Sequence, residues 1–195
     1  MKKIVLILFM LFAITNIQAS EDKHQYVYLT GGHSDKFGID EIGGGYSDRR
    51  YFSKIHTPFW NKFNYGLDLA ANVFFLEDDF GTDNIGIRFE PALKLGFEVL
   101  KGKINKLNIS GFGGYSFGYM NDIKLKAPFY GIEIQYDLAR HFAFGMKYTI
   151  YSGTYEKESE SSGGSIELPE IKVSDEVESG DYDDTKVNFY IAYKF

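Results

Sequence analysis

Alternating apolar and polar positions run through most of this chain, and the clearest run spans residues 85–99. One face carries Ile85, Ile87, Phe89, Pro91, Leu93, Leu95, Phe97 and Val99, and the other carries Gly86, Arg88, Glu90, Ala92, Lys94, Gly96 and Glu98. A period of two predicts a β-strand with one apolar and one polar face. About fifteen alternating residues exceed the length of ordinary globular strands and are enough for a tilted membrane crossing.

The same alternation predicts five more strands. They cover residues 63–76, 107–119, 130–138, 142–151 and 186–195. Two weaker strands precede them. Residues 25–33 are rich in β-formers, but whether Tyr26 and Tyr28 or Val27 and Leu29 face outward stays open at this point. Residues 40–52 contain three consecutive glycines and a charge cluster, which predicts a bulged or sharply coiled strand.

The connections between these eight strands alternate in length, as in a membrane barrel with both termini in the periplasm. The links from odd to even strands are long and expected to be external, and they cover residues 34–39, 76–84, 120–128 and 152–184. Two of the reverse links, residues 100–106 and 138–141, are short. Only residues 53–61 form a longer periplasmic link than expected.

The first nineteen residues have the organisation of a secretory signal peptide. Lys2 and Lys3 precede an apolar stretch from Ile4 to Ile14, and Ala19 is a small residue suited to cleavage. The apolar stretch is shorter than the roughly 20 residues of a membrane helix. We therefore expect a signal peptide at residues 1–19 and one domain at residues 20–195.

The composition favours a β-sheet and excludes sites that need cysteine. Aromatic residues make up 17% of the chain, with 15 Tyr, 18 Phe and 21 Gly against only 4 Pro, which favours antiparallel strands. The absence of Cys excludes disulfides and thiolate metal sites.

The C-terminal strand ends the printed sequence on a large aromatic residue. In residues 187–195, VNFYIAYKF, apolar side chains alternate up to Phe195. Because hydrocarbon offers no hydrogen-bond partners, a membrane sheet must close on itself, so the eighth strand is expected to pair with the first. The predicted fold is all-β: an eight-stranded antiparallel up-and-down transmembrane β-barrel, with a soluble lipocalin-like barrel as the alternative.

With its signal peptide, strand pattern and terminal VNFYIAYKF, the chain resembles small outer-membrane β-barrels of the OmpA-transmembrane-domain and OmpX kind, a porin-family barrel domain. The resemblance implies the outer membrane of a Gram-negative bacterium, with both termini periplasmic. It also implies a monomer in contact with outer-membrane lipids and lipopolysaccharide. The strand ending at Phe195 looks like the signal read by the barrel-assembly machinery. No counterpart of the peptidoglycan-binding domain of full-length OmpA is apparent, so wall tethering is not implied.

The inner faces of the predicted strands carry polar residues of both charge signs. An eight-stranded barrel is about narrow enough to be filled by side chains, so ion pairs can lock the lumen, and a narrow channel is the alternative. The predicted lumen residues are Asp68, Asn72, Arg88, Glu90, Lys94, Glu98, Glu133, Gln135, Asp137 and Lys147.

The link at residues 152–184 is strongly acidic. It holds eleven Asp and Glu against two Lys, a difference of −9, whereas the whole chain has a net charge of −6. Such a segment is expected to be solvated and exposed at the cell surface. Its charge disfavours nucleic-acid binding, and DYDDT at residues 181–185 lacks the length and spacing of an EF-hand loop.

Catalytic residues are not evident. His33, Ser34 and Asp35 are adjacent, but neighbouring residues of a strand point to opposite faces, so His33 and Ser34 are poorly placed to act together. His24, His56 and His141 are scattered, so no metal or cofactor site is expected. The sequence favours a non-enzymatic structural or surface-interaction protein, with a lipid A-modifying barrel enzyme or a low-conductance channel as alternatives.

Overall fold

The computed structural model describes residues 23–34, 40–52, 59–77, 83–102, 105–120, 123–138, 140–157 and 178–195. The predicted signal peptide at residues 1–19 lies outside them. The strands in this part of the chain are β1 Lys23–Ser34, β2 Asp40–Tyr51, β3 Phe63–Glu77, β4 Asp83–Lys101, β5 Lys106–Met120, β6 Ile123–Leu138, β7 Phe142–Lys157 and β8 Glu178–Lys194. A turn of 3-10 helix, Trp60–Lys62, precedes β3. No helix among the described residues is long and apolar enough to cross a bilayer.

The eight strands form a closed barrel in which each strand pairs antiparallel with the next. β8 returns to β1, with Tyr26 opposite Lys194 and Leu29 opposite Ile191. The amide N of Phe195 donates a hydrogen bond to the carbonyl O of Gln25 at 3.1 Å, which continues the closure past the end of β8. The predicted all-β up-and-down barrel is confirmed. We call the end where β1 begins and β8 ends the proximal mouth, and the opposite end the distal mouth.

The strand phases follow the predicted alternation in β3 to β8. In β1 the structure settles the open choice, because Tyr26 and Tyr28 are buried in the lumen while Leu29 is 75% exposed on the outer wall. The two tyrosines reach carboxylates across the lumen: the Tyr26 hydroxyl donates to Asp137 at 3.0 Å and the Tyr28 hydroxyl donates to Asp68 at 2.6 Å. Aromatic bulk and a polar tip make both residues suitable for a polar interior.

The glycine run of β2 is regular, which corrects the predicted bulge. Gly43, Gly44 and Gly45 pair in unbroken register with both neighbouring strands. A Cβ on Gly43 would overlap the Asn72 side chain, and one on Gly45 would overlap the Tyr28 ring. The glycines therefore give room to larger lumen side chains instead of breaking the strand.

The link predicted at residues 120–128 is wrong, because β6 begins at Ile123 and only residues 121–122 separate it from β5. The alternation is inverted here: Leu125 and Ala127 are buried inside the barrel, whereas Lys126 is exposed outside. Apolar-in and polar-out is the pattern of a sheet facing water. This part of the strand therefore extends beyond the apolar wall.

The predicted loop at residues 152–184 is shorter than expected, because both of its ends are strand. β7 and β8 stay paired from Ser152 opposite Asp183 to Lys157 opposite Glu178. Residues 158–177, including the alternating run 166–173, lie outside the described residues. The outward residues of the paired strand ends, such as Asp181 and Asp183, are polar, so the contrast that identifies a membrane strand is missing from these ends.

Candidate functional site

The polar and charged side chains of the barrel are concentrated in its lumen. Ten residues were predicted to line it, and the structure places all of them there, most less than a tenth exposed. Their charged groups form three clusters along the barrel axis. Each cluster combines residues from strands that are distant in sequence.

The central cluster consists of Asp68, Lys94, Glu133 and Lys147. The Asp68 carboxylate accepts both lysines, at 2.7 Å from Lys94 Nζ and 2.6 Å from Lys147 Nζ. Lys94 also contacts Glu133 at 2.5 Å, and the Tyr190 hydroxyl of β8 donates to Glu133. Two lysines and two carboxylates balance, which offsets part of the cost of removing the charges from water.

The distal cluster consists of Glu41, Arg88, Glu90 and Lys186. Lys186 Nζ lies 2.8 Å from Glu41 and 3.4 Å from Glu90. Arg88 lies between aromatic rings, with its guanidinium carbon 5.0 Å from the ring centroids of both Phe74 and Tyr151. A planar guanidinium suits such stacking, and burial strengthens the cation–π contact.

Two residues from the predicted acidic link complete the distal cluster. The Arg88 Nη2 donates to the Tyr182 hydroxyl at 3.0 Å, and Tyr182 donates in turn to Asp184 at 3.1 Å. Ser34, at the end of β1, donates to the other oxygen of Asp184 at 2.6 Å. The distal extension of β8 therefore supplies side chains to the lumen.

The proximal cluster is built around Glu98 and Asp137. Tyr51 donates to Glu98 at 3.0 Å, and Lys106 Nζ lies 3.5 Å from the same carboxylate. Arg49 Nη1 lies 3.7 Å from Asp137, whose carboxylate also accepts the Gln135 amide at 2.8 Å. Charged side chains thus cross the lumen near the proximal mouth as well as at its centre.

A small cavity separates the central and distal clusters. It has a volume of about 30 Å³ and its lining includes Asn72, Lys147, Lys186 and Asn188. The amide oxygens of Asn72 and Asn188 are buried and have no hydrogen-bond partner among the described residues. A polar space of this size holds about one water molecule.

The outer wall is the chemical opposite of the lumen. Leu93 and Leu95 on β4 are each 68% exposed, and Phe189 and Ile191 on β8 are 63% and 69% exposed. A band of large apolar side chains around the whole barrel, with charged residues inside, is incompatible with water on the outside and matches a hydrocarbon solvent. The closed barrel leaves no free edge strand in that band. The chain is a transmembrane β-barrel.

Comparison with solved structures finds chains of similar fold. The barrel is similar to the N-terminal β-barrel domain of Pseudomonas aeruginosa OprF, with a TM-score of 0.43 and 9% sequence identity over 88% of this chain and 97% of that one. No family model matches the chain. No curated protein matches it either. The assignment of the fold rests on the closed strand pairing of this chain itself.

The histidines and the serine singled out in the sequence are not assembled into a site. Ser34 is buried and faces Asp184, whereas His33 lies outside, exposed, with Nδ1 2.8 Å from Asp40. His24 packs on Tyr51 and His141 stacks on Tyr193, while His56 lies outside the described residues. Within the described part of the chain, no group of three or more His, Asp or Glu could hold a metal ion.

Sequence reasoning missed Glu41, Arg49 and Lys186 as lumen charges. Glu41 and Arg49 lie in the glycine-containing strand whose phase was unclear, and Lys186 begins the predicted last strand. Glu41 lies two residues before Gly43, which faces the lumen. Because residues two apart on a strand share a face, an inward Gly43 was the available signal that Glu41 also points inward. Tyr182 and Asp184 had no such signal, because the segment was assigned to a loop.

Proposed function

We propose that this protein is a non-enzymatic outer-membrane barrel of a Gram-negative bacterium, with a structural or surface-interaction role. The observation that carries the proposal is the lumen, which the three charge clusters cross at successive levels. Breaking one member of a buried ion pair costs several kcal/mol, so the clusters favour a rigid barrel over an open pore. The surface that remains for recognition is the distal mouth.

The proposed orientation places the proximal mouth in the periplasm and the distal mouth outside the cell. It is supported by the long link at residues 158–177, which joins two strand ends at the distal mouth, since external loops of such barrels are longer than periplasmic turns. Phe195 then lies at the periplasmic interface, where the barrel-assembly machinery would bind the last strand. The proposed partners are outer-membrane lipids and lipopolysaccharide, and the proposed state is a monomer.

The proposal is tested by deleting the gene and measuring solute permeability, lipid A mass and surface adhesion side by side. A structural or surface-interaction role predicts a change in surface adhesion with lipid A mass and solute permeability unchanged. An altered lipid A mass would establish the enzyme instead. Purified protein in planar bilayers should show no steady conductance steps, and heat-modifiable migration on gels confirms that the sample tested is folded.

A low-conductance channel is the second candidate, and the central cavity favours it. The space of about 30 Å³ interrupts the side-chain packing between two charge clusters and is lined by Lys147 and Lys186 together with Asp68 and Glu90. Steady conductance steps in bilayers, altered by Lys147→Gln, would replace the rigid-barrel proposal with this one.

A further inference from the structure

The proximal mouth carries a cluster of aromatic side chains on its outer surface, which we call the aromatic shelf: Phe59, Trp60, Phe63 and Phe97. Phe63 packs edge to face on Phe97 with ring centroids 5.0 Å apart, and Trp60 lies 5.3 Å from Phe63. Phe59 bridges to Phe63 at 5.2 Å. Phe59 and Trp60 are nonetheless 59% and 46% exposed, so the shelf presents apolar area to its surroundings.

The shelf is continuous with the membrane wall. Phe63 and Phe97 are outward residues of β3 and β4 that pair with each other across the two strands. The next outward pair toward the distal mouth is Tyr65 with Leu95, both exposed on the wall. Because Trp and other aromatic rings favour the boundary between hydrocarbon and headgroups, the shelf marks the level at which one leaflet ends.

Exposed cations lie at the same mouth as the shelf, and two of them have a carboxylate partner. Arg50 Nη2 lies 3.0 Å from Asp48, and Lys101 Nζ lies 3.9 Å from Glu98. Both carboxylates are buried. Lys62 is exposed at the same mouth, next to Phe63 of the shelf, and an exposed lysine near a membrane surface attracts anionic lipids.

Lys62 is the cation placed to act together with the shelf. It ends the 3-10 helix, whose backbone is held by a 3.2 Å hydrogen bond from the Lys62 amide N to the Phe59 carbonyl O. Its Nζ lies 5.8 Å from the centroid of the Phe97 ring. Lys62 makes no ion pair with any residue the structure describes, so its ammonium group retains its capacity for an external anion.

We propose that Lys62 and the aromatic shelf form a binding site for an anionic phospholipid in the leaflet at the proximal mouth. The ammonium group of Lys62 binds the headgroup phosphate, and the rings of Phe59 and Trp60 contact the glycerol and upper acyl chain. The site recognises a negatively charged lipid over a zwitterionic one because the ammonium group of Lys62 has no counter-charge among the residues the structure describes. The proposal rests on the barrel lying in a bilayer, as in the proposed function.

Trp60 makes the test direct, because it is the single tryptophan of the chain. The full-length mature protein is folded into vesicles that contain phosphatidylcholine and phosphatidylglycerol, with one or the other brominated on its acyl chains. Bromine quenches tryptophan fluorescence on contact, so the two quenching curves give the relative affinity of the shelf for each lipid. We expect phosphatidylglycerol to be preferred by about fivefold, and the preference to fall as salt is added.

Three variants locate the preference. Lys62→Gln should lower the ratio toward one while Trp60 stays quenched by both lipids, and Lys62→Arg should keep it. Lys126→Gln is the matched control, because Lys126 is an exposed outward lysine at the distal mouth, and it should leave the ratio unchanged.

The outcomes separate this proposal from the one on which it rests. A ratio near one in the unmodified protein, or a preference that survives Lys62→Gln, overturns the lipid site. Trp60 that neither lipid quenches overturns it too, since the shelf would then face water. A chain that shows no heat-modifiable migration in lipid contradicts the membrane barrel itself.

Discussion

Asp68 is the residue on which the centre of the lumen depends. Its carboxylate accepts Lys94, Lys147 and the hydroxyl of Tyr28, and its side chain is only 5% exposed. Lys94 keeps a second partner in Glu133, but for Lys147 the same carboxylate is the principal counter-charge. One carboxyl group on β3 therefore connects that strand to three others: β1, β4 and β7.

Asp68→Asn should lower the free energy of unfolding by about 3–5 kcal/mol, because it leaves a buried lysine without its counter-charge. The double variant Asp68→Asn with Lys147→Gln should recover part of this loss, since the unpaired charge is removed together with its partner. Reversible unfolding in lipid vesicles measures both. A double variant that costs as much as the sum of the two single ones would show that the pair is not coupled.

Leu93 probes the wall in the same way that Asp68 probes the lumen. It lies at the middle of β4, 68% exposed, between Leu67 and Gly113 on the adjacent strands. Leu93→Arg should cost about 2–4 kcal/mol near the bilayer midplane. Leu93→Met keeps the apolar surface and should cost little, so equal effects of the two variants in lipid unfolding experiments would argue against a hydrocarbon-facing position.

At the scale of the strand, the distal extension of β7 and β8 joins the surface to the lumen. Residues 151–157 and 178–184 form its ladder, and Tyr182 and Asp184 reach inside to Arg88 and Ser34. The paired ends of β7 and β8 therefore contribute to the barrel, and residues 158–177, which connect them, can be removed separately.

Two deletions test that separation. Replacing residues 158–177 by Asn-Gly, a favoured hairpin turn, should leave the temperature of the heat-modifiable gel shift unchanged. Replacing residues 152–184 should lower it, because Arg88 and Ser34 lose buried partners at about 1–3 kcal/mol for each group. If both deletions are equally harmless, the contacts of Tyr182 and Asp184 do not contribute to stability.

The strands that sequence predicted well are those whose outer face meets hydrocarbon. In β4 every outward residue from Ile85 to Val99 is apolar, including the imino acid Pro91, so the period of two is unambiguous. In β1 the sequence did not show which face points outward, because Tyr28 counts as apolar in the pattern. In the structure its hydroxyl donates a hydrogen bond to Asp68 inside the lumen. Whether the outward residues of a strand are apolar or polar therefore depends on the solvent that surrounds the barrel and not on the strand itself.

The same physics explains the elements that sequence placed wrongly. Beyond the apolar wall, β6 turns Leu125 inward and Lys126 outward, and β8 turns Tyr182 inward and Asp183 outward. These segments follow the rule for water-facing sheets. Ion pairs such as Lys186 with Glu41 could not be predicted, because they depend on register across strands that are far apart in sequence.

For the whole molecule, the central prediction concerns orientation. If the distal mouth is extracellular, protease added to intact cells should cut within residues 158–177 and leave a protected barrel, as exposed loop tips are the preferred sites of cleavage. The fragments are identified by mass spectrometry, with a periplasmic protein as the control for leakage. Cleavage that occurs only after the outer membrane is opened would place this segment in the periplasm and invert the topology.

The pairing of β1 with β8 has a consequence for how fast the barrel can form. Seven of its eight strand pairings join neighbours along the chain, but this one brings Tyr26 to Lys194. Contacts of such high sequence separation carry the largest loop-closure entropy and slow folding. An open sheet inside hydrocarbon would leave the backbone groups of its two edge strands without hydrogen bonds, which is costly. Closure must therefore accompany insertion. A factor that accelerates folding of this chain has to act on the meeting of its first and last strands, because the hairpins between them form locally.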